Sequence, residues 1–184
     1  MIRSASFAAL FTGLLVLAFG AVPRTSAPIK LARHPDYHAG KIAFSYLGDI
    51  WTANEDGGDP HRLTDNRGHE VYPRFSPDGR WIAFSSNRYG NNDVFVIAAT
   101  GGAPRRLTFH TGNDDVVGWT RDSQHVLFRA AHGDGAFPNV ATLHQVPVAG
   151  GPEQPLPVDW GYWGNFSPDG KSLVFNRHPA VWTR

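Results

Sequence analysis

The chain has 184 residues, of which 41% are hydrophobic and 18% are charged, a balance that excludes intrinsic disorder. The formal net charge is only +1, which excludes the strong positive field expected of a nucleic-acid-binding protein. The chain contains no cysteine, and this excludes disulfide bonds and thiolate metal sites. Its 20 glycines and 14 prolines indicate many turns joining short strands.

The N-terminal segment has the pattern of a secretory signal peptide. Arg3 is followed by a run without charges from Ser6 to Val22, which is short for a membrane span of about 20 apolar residues. Small residues at Thr25–Ala27 fit a cleavage site, so we expect residues 1–27 to be removed after Ala27. This predicts an exported, periplasmic protein without a membrane segment once the signal is cleaved. An uncleaved N-terminal anchor is the alternative.

After this segment, four short motifs recur in the same order along the chain. The phenylalanines of the first motif are spaced by 40, 44 and 47 residues, close to the 40–45 residues of a propeller blade. Its four copies are Ile42–Phe44, Ile82–Phe84, Val126–Phe128 and Leu173–Phe175. The second motif is a turn at Phe75–Gly79 and Phe166–Gly170, with a degraded copy at Trp119–Ser123. The third is a pair of glycines at residues 57–58, 101–102 and 150–151, and the fourth is Arg-Leu-Thr at residues 62–64 and 106–108.

One unit of this repeat predicts four strands. The turn Ser76–Gly79 separates a strand near Tyr72–Ser76 from one at Trp81–Ser86, because proline presets φ and glycine tolerates a positive φ. The second strand is apolar on both faces, which predicts burial between two neighbouring blades. Asp93–Ala98 and Pro104–Thr108 are the third and fourth strands, joined by a glycine hairpin. No helical period interrupts the pattern.

The predicted fold is therefore all-β, a β-propeller of four-stranded blades with about three and a half blades and an incomplete ring. The expected blades are Leu31–Thr64, Tyr72–Thr108, Asp115–Leu156 and Tyr162–Arg184. Propellers need 4–8 blades to close, so we expect the chain to be a fragment of a longer protein. A small propeller closed by strand exchange between copies is the alternative.

These motifs together resemble the TolB-type propeller repeat. The segments Leu47–Trp51, Phe109–Trp119 and Val126–Arg129 go further and resemble the N-terminal propeller of bacterial tricorn-like proteases, over residues 30–184. That resemblance implies a large serine peptidase in which a second propeller, a PDZ-like domain and a catalytic domain come after the first propeller. It implies peptide or protein substrates, the missing C-terminal domains of the same polypeptide as partners, and homo-oligomers of the full-length form. Its catalytic motifs do not occur here, so no catalytic residue is assigned.

Several histidines and aspartates are candidate metal ligands, but their spacing argues against metal binding. His34 and His38 have a spacing that holds a metal only on a helix, and Pro35 argues against one. Asp114, Asp115 and Asp122 lack the alternating ligands of a calcium loop. We therefore predict no metal and no cofactor.

The repeat accounts for the remaining candidates. Asp78 and Asp169 are expected to cap backbone amides within their turns, and Ser76 and Ser167 recur as parts of the same turns. Three arginines, Arg62, Arg105 and Arg106, are expected on solvated outer strands.

Two loops remain as candidates for binding. Asn87–Asn92 and Ala131–Asn139 join the second and third strands of their blades and project from one face. We predict that they form a rim that contacts peptides; a solvated loop is the alternative. The rim residues are Arg88, Tyr89, Asn91, Asp134 and Phe137.

Three functional classes stay open at this point. The first is a non-catalytic module that gates or guides peptides to the protease domain of a tricorn-like peptidase. The second is a periplasmic protein-interaction propeller of the TolB kind. The third is a propeller attached to another hydrolase, of the amidohydrolase or prolyl-peptidase type.

Overall fold

The computed structural model describes residues 31–131, 141–158 and 161–177, and the regular elements within them are all β-strands. The predicted signal peptide, residues 1–27, lies outside the described residues. The strands are β1 (Arg33–His38), β2 (Lys41–Tyr46), β3 (Asp49–Asn54), β4 (His61–Arg62), β5 (Glu70–Phe75), β6 (Trp81–Ser86), β7 (Asp93–Ala98), β8 (Arg105–Arg106), β9 (Asp114–Trp119), β10 (His125–Ala130), β11 (Thr142–Pro147), β12 (Gln154–Pro155), β13 (Gly161–Phe166) and β14 (Leu173–Arg177).

The strands form successive antiparallel sheets in chain order. Strands β1–β4, β5–β8 and β9–β12 make three four-stranded meanders, and β13 pairs with β14 in a fourth sheet. The first strands of successive sheets lie against one another, β1 with β5, β5 with β9 and β9 with β13. The first strands therefore gather around a common axis, and the two-residue fourth strands lie outside. Within the described residues the sheets do not close a ring, so the prediction of an incomplete all-β propeller is confirmed.

The core consists of layers between neighbouring sheets. On β6 and β7, Ile82, Phe84 and Phe95 pack toward the first sheet, whereas Ala83 and Val94 pack toward the third. All five side chains are almost fully buried. Alternate residues of a strand point to opposite faces, so a blade between two neighbours buries both faces and must be apolar on both. This confirms the interpretation of Trp81–Ser86 as a strand sandwiched between blades.

The turn between the first and second strands of a blade is set by a short hydrogen-bond motif. Ser76 Oγ donates to Asp78 and accepts the Trp81 backbone N–H at 3.0 Å, and Asp78 accepts the Arg80 N–H at 3.1 Å. Gly79 has φ +70°, a conformation that glycine adopts without a Cβ clash. The expectation that Asp78 caps its own turn is therefore confirmed.

The same motif recurs in the third and fourth sheets. Ser167 and Asp169 repeat the bonds of the second sheet, with Asp169 accepting the Lys171 N–H at 3.1 Å. In the degraded copy, Thr120 takes the place of the serine and its hydroxyl donates a hydrogen bond to Asp122. The other hydrogen bonds of the turn are also present, so its geometry is the same despite the change in sequence.

The motif Arg-Leu-Thr ties the fourth strand back to the third. Thr108 Oγ1 accepts the Val94 N–H at 2.9 Å, and Arg106 Nη2 lies 2.8 Å from a carboxylate oxygen of the buried Asp93. Leu107 is buried and still donates its N–H to Val94 O, but the Val94 N–H goes to the Thr108 hydroxyl instead of a backbone carbonyl. The edge strand therefore ends at Arg106 rather than at Thr108 as predicted.

The first sheet repeats this arrangement with Thr64, Arg62 and Asp49. Thr64 Oγ1 accepts the Ile50 N–H at 2.8 Å, and Arg62 lies 2.7 Å from Asp49. Arg62 is nevertheless exposed on its outer strand, as predicted, with 41% of its side chain accessible. The prediction of a solvated arginine is wrong for Arg106, whose side chain is 22% exposed because it pairs with the buried Asp93.

Candidate functional site

The first strands of the sheets carry β-bulges where they approach the axis. Bulges interrupt β1 between Arg33 and Asp36, β5 between Val71 and Arg74, and β13 between Gly161 and Gly164. A bulge places an extra residue in one strand and turns its side chains out of the regular alternation. The pairing of β9 with β10 is interrupted as well.

Two bulge residues have left-handed backbones that are unusual for their side chains. His34 has φ +52° and Tyr72 has φ +56°. Their rings lie 4.4 Å apart, and Tyr72 in turn contacts Trp163 of the fourth sheet at 5.1 Å between ring centroids. The bulges thus bring together an aromatic cluster, His34, Tyr72 and Trp163, from three different sheets. Strained backbone of this kind is often found at functional sites.

Beside this cluster lies a cavity of about 480 Å³, which we call the axial cavity because the first strands of all four sheets form its wall. It is open to solvent near the turns between first and second strands. Its lining residues are Asp36, Tyr37, His38, Arg74, Phe75, Ser76, Pro77, Val117, Gly118, Trp119, Arg121, Asn165, Phe166, Ser167 and Pro168. A second cavity, which Trp163 lines, shares Arg74, Val117 and Asn165 with the first.

The ionisable side chains that line the axial cavity include Asp36, His38, Arg74 and Arg121. Burial raises the pKa of Asp36, although the Phe75 N–H, 2.8 Å from its carboxylate, and the charges of Arg74 and His38 oppose that rise. Burial and the charges of Arg74 and Arg33 lower the pKa of the neighbouring His34. The wall of the cavity is therefore more cationic than anionic.

The serines that line the cavity have a structural role. Ser76 Oγ is buried and holds the Asp78 carboxylate and the Trp81 N–H, and Ser167 makes the same bonds in the fourth sheet. The pKa of Asp78 is about 2: its slight burial acts to raise it, and hydrogen bonds from Ser76 and Arg80 outweigh this. A nucleophilic serine requires a base, usually a histidine, within hydrogen-bond distance. Within the described residues, neither Ser76 nor Ser167 makes a hydrogen bond to a histidine.

The histidines and aspartates considered as metal ligands do not converge. Among the described residues no group of three or more potential ligands is close enough to hold an ion. His34 packs on Tyr72 and His38 packs on Phe75. Asp114 and Asp115 begin β9, whereas Asp122 lies in the turn beyond its other end.

The predicted rim is only partly available to a ligand. Arg88 lies in the loop between β6 and β7, but its side chain is 12% exposed and pairs with the fully buried Glu70. Tyr89 is 64% exposed and stacks on Arg106, whose guanidinium also covers the ring of the exposed Phe109.

Asn91, the third rim residue that the structure describes, faces the next linker. Its Nδ2 donates to the carbonyl oxygens of His110 at 2.9 Å and Gly112 at 2.6 Å. Asp134 and Phe137 lie outside the described residues, and the contact of the rim with peptides stays a prediction. The structure brings Tyr89 and Phe109 together on this face, and Phe109 was not among the predicted rim residues.

The axial cavity was not predicted from the sequence, although the repeat contains a pattern that indicates it. Arg74, Gly118 and Asn165 occupy the same position of three blades, directly before the aromatic residue that opens the turn motif, and all three line the cavity. Residues that differ between blades inside an otherwise repeated motif do not maintain the blade frame. Such positions are therefore candidates for function.

Comparison with known proteins identifies the family. The family model described as the tricorn protease N-terminal beta propeller domain matches residues 29–183. The chain belongs to this family. It is 36% identical over 169 residues to tricorn protease homolog 1 of Streptomyces coelicolor, a match that covers 89% of this chain and 15% of that protein.

Solved structures agree with the assignment to the tricorn N-terminal propeller family. The crystal structure of the tricorn protease matches 76% of this chain and 14% of that one, with a TM-score of 0.66 and 25% identity. TolB from Acinetobacter baumannii matches 80% of this chain and 38% of that one, with a TM-score of 0.62 and 19% identity, a likeness of fold. The resemblance to tricorn and TolB propellers expected from the sequence is thus confirmed.

The described residues also contain no helix with the length and hydropathy that a membrane crossing requires. The chain spans a small part of the longer proteins named above.

Proposed function

We propose that this chain is the non-catalytic propeller module of a tricorn-type serine peptidase and that it guides peptides to a protease domain in the remainder of the polypeptide. The observation that carries the proposal is the axial cavity, formed by the first strands of all four sheets in a member of the tricorn N-terminal propeller family. Ligand sites in folds of this kind are concave and contain a few polar groups that fix orientation. Arg74, Arg121 and Asn165 supply such groups here.

The non-catalytic role is supported by the use of the polar side chains. Ser76 and Ser167 hold their turns, and Asp78 and Asp169 cap backbone amides of those turns. The repetition of both pairs in two blades suits a frame better than a single reaction centre. The nucleophile therefore belongs to another part of the polypeptide.

A serine-directed fluorophosphonate tests where the nucleophile lies. It is added to the full polypeptide, and the labelled residue is mapped by mass spectrometry while peptide hydrolysis is followed. We expect loss of hydrolysis with labelling outside residues 31–177. Labelling of Ser76 or Ser167 in step with inactivation would overturn the proposal.

The rim is a finer part of the same proposal. Tyr89 is exposed on the loop face, and the predicted residues Asp134 and Phe137 belong to the longer loop, Ala131–Asn139. Shortening that loop in the full polypeptide is expected to change the relative cleavage of long and short peptides. Equal cleavage before and after the deletion would exclude the rim from peptide guidance and leave the axial cavity in place.

A TolB-like interaction propeller is the second candidate, and the likeness of fold to TolB favours it. The two functions require different domains downstream of this propeller. A PDZ-like domain and a protease domain support the peptidase module, whereas a chain that ends after one ring supports the interaction propeller. A metal-binding or α/β-hydrolase domain would instead support the third class, a propeller of another hydrolase.

We also propose that the protein is exported to the periplasm. The support is the uncharged run from Ser6 to Val22 and the small residues at Thr25–Ala27 just after it. Fusion of residues 1–40 to alkaline phosphatase, which folds to an active form only after export, is expected to give periplasmic activity. The same residues are fused in parallel to β-galactosidase, which is active only in the cytoplasm. An active β-galactosidase fusion together with an inactive alkaline phosphatase fusion would contradict the proposal.

A further inference from the structure

Arg74 is held in the axial cavity by backbone carbonyl groups. Its Nη1 donates to Pro73 O at 2.9 Å, and its Nε lies 3.4 Å from Val117 O of the third sheet. Trp119 Nε1 donates to the Arg74 carbonyl oxygen at 2.9 Å, which fixes the same stretch of β5 from the neighbouring sheet. The guanidinium is therefore positioned by two sheets before any ligand arrives.

This environment differs from that of the other partly buried arginines. Arg88, Arg106 and Arg129 each pair with a carboxylate on a neighbouring strand. Arg74 makes no such pair, because within the described residues no carboxylate oxygen lies within 4.0 Å of its side-chain nitrogens. A carbonyl dipole orients a guanidinium without neutralising it. The positive charge of Arg74 is thus left for the cavity.

A second arginine adds to this charge. Arg121 lines the same cavity from the turn of the third sheet, and His38 lines it from the end of β1. Asp36 is the opposing acid; burial raises its pKa, and its carboxylate accepts the Phe75 N–H. Asn165 and Ser167, from the fourth sheet, complete a wall of neutral polar groups around the cations.

We propose that the axial cavity binds a carboxylate of an extended peptide, with Arg74 as the main contact and Arg121 as the second. This inference rests on the proposed function, which supplies the peptide, and adds the chemical group that the cavity selects. Guanidinium groups suit carboxylates because their planar N–H donors match the two oxygens. Neither backbone contact of Arg74 uses Nη2, so that edge remains for the ligand.

The carboxylate has two sources, the peptide C-terminus and an acidic side chain, and three probes separate them. All are acetylated hexapeptides that carry one benzoylphenylalanine for photo-crosslinking. The first is neutral with a free C-terminal carboxylate, the second is its C-terminal amide, and the third is the amide with one glutamate. They are applied to the full polypeptide after covalent inactivation of its peptidase, and crosslinks are mapped by mass spectrometry.

We expect the wild-type protein to crosslink the first or third probe at segments 117–121 and 165–168 roughly tenfold more efficiently than the second, because a charge-assisted contact is lost in the amide. R74Q removes this preference, and R121Q reduces it without touching a buried group. R67Q is the matched control, because Arg67 is exposed in the linker between β4 and β5 and the substitution removes the same charge. It keeps the preference.

Two results would overturn the inference in different ways. If the three probes crosslink equally well to the cavity segments, or R74Q keeps the preference, carboxylate selection is wrong and the peptide-guiding function stands. If no probe crosslinks to these segments in the wild-type protein, both the inference and the proposed function fail. Whichever of the first and third probes is preferred identifies the source of the carboxylate.

Discussion

Ser123 shows how one residue serves two requirements at once. It stands where the other two turns have Gly79 and Gly170, and it keeps their left-handed backbone with φ +61°. A side chain in that conformation costs about 1 kcal/mol. Its buried Oγ in return accepts the Asp78 N–H of the neighbouring sheet at 3.1 Å. The hydrogen bond between sheets offsets the backbone strain.

Two substitutions separate these effects. S123A loses the hydrogen bond and keeps the strain, whereas S123G loses the bond and relieves the strain. We expect S123A to lower the free energy of unfolding by about 1 kcal/mol more than S123G does. Urea denaturation of both variants in the polypeptide that carries this propeller measures the difference. Equal destabilisation would mean that the positive φ is not strained.

The raised pKa of Asp114 predicts that the free energy of unfolding depends on pH. Burial raises its pKa to about 7, and the charges of Glu153 and Asp93 add to the rise while a hydrogen bond with Thr108 opposes it. The folded state therefore holds a proton that the unfolded state releases above about pH 4. The contribution of Asp114 to stability is therefore most favourable below that pH, and it falls as pH rises through the interval up to about 7.

The variant D114N removes this titration. Between pH 5 and pH 7 the free energy of unfolding of the wild-type protein should fall relative to D114N, at most by about 1.4 kcal/mol per pH unit. D122N is the control, because hydrogen bonds lower the pKa of Asp122 and its titration lies below this interval. Parallel pH profiles of wild type and D114N would contradict the expected buried proton.

At the scale of the element, the linker between blades repeats one contact. Thr64 and Thr108 each accept the N–H of a residue in the third strand of their own sheet, Ile50 and Val94. Both hydroxyl groups are buried, and each links the end of a blade to its middle. The repeated Arg-Leu-Thr of the sequence is explained by this bond together with the arginine–aspartate pair beside it.

The substitution T108V tests the bond with little change in shape. It leaves the buried Val94 N–H without its acceptor, which is expected to cost about 1–3 kcal/mol of unfolding free energy. T108S keeps the hydroxyl and should cost less than half as much. Chemical denaturation compares the two; equal losses would mean that the methyl group of Thr108, rather than the hydroxyl, stabilises the linker.

The strands and turns could be predicted from the sequence because their causes are local. Ser76–Gly79 contains its own hydrogen-bond partners, and Trp81–Ser86 is apolar on both faces for the reason that the core requires. The roles of Arg88 and Arg106 could not be predicted. Their partners Glu70 and Asp93 lie 13 or more residues away and become neighbours only when the sheet forms.

At the scale of the whole molecule, the proposed function depends on features that no single blade contains. The axial cavity requires four first strands side by side. The aromatic cluster beside it requires a positive φ at His34 and Tyr72, and nothing in the sequence indicates that conformation. The repeat predicted the sheets and their order. The cavity was recoverable only from residues that break the repeat, such as Arg74 and Asn165.

The proposed function requires that peptides pass through the axial cavity on their way to an active site elsewhere in the polypeptide. Gly118 allows a direct test, because it lines the cavity without a positive φ, and a Cβ there would come no closer than 3.7 Å to Asn165. G118F fills the cavity, whereas G118A adds one methyl group at ordinary contact distance and is the matched control.

The deciding measurement is kcat/KM of the full polypeptide for a twelve-residue peptide and for a small chromogenic substrate. We expect G118F to lower the value for the long peptide roughly tenfold or more, as a block to substrate delivery of about 1.4 kcal/mol or more requires. The small substrate should be affected less than twofold, and G118A should resemble wild type for both. Unchanged cleavage of the long peptide by a folded G118F variant would contradict passage through the axial cavity.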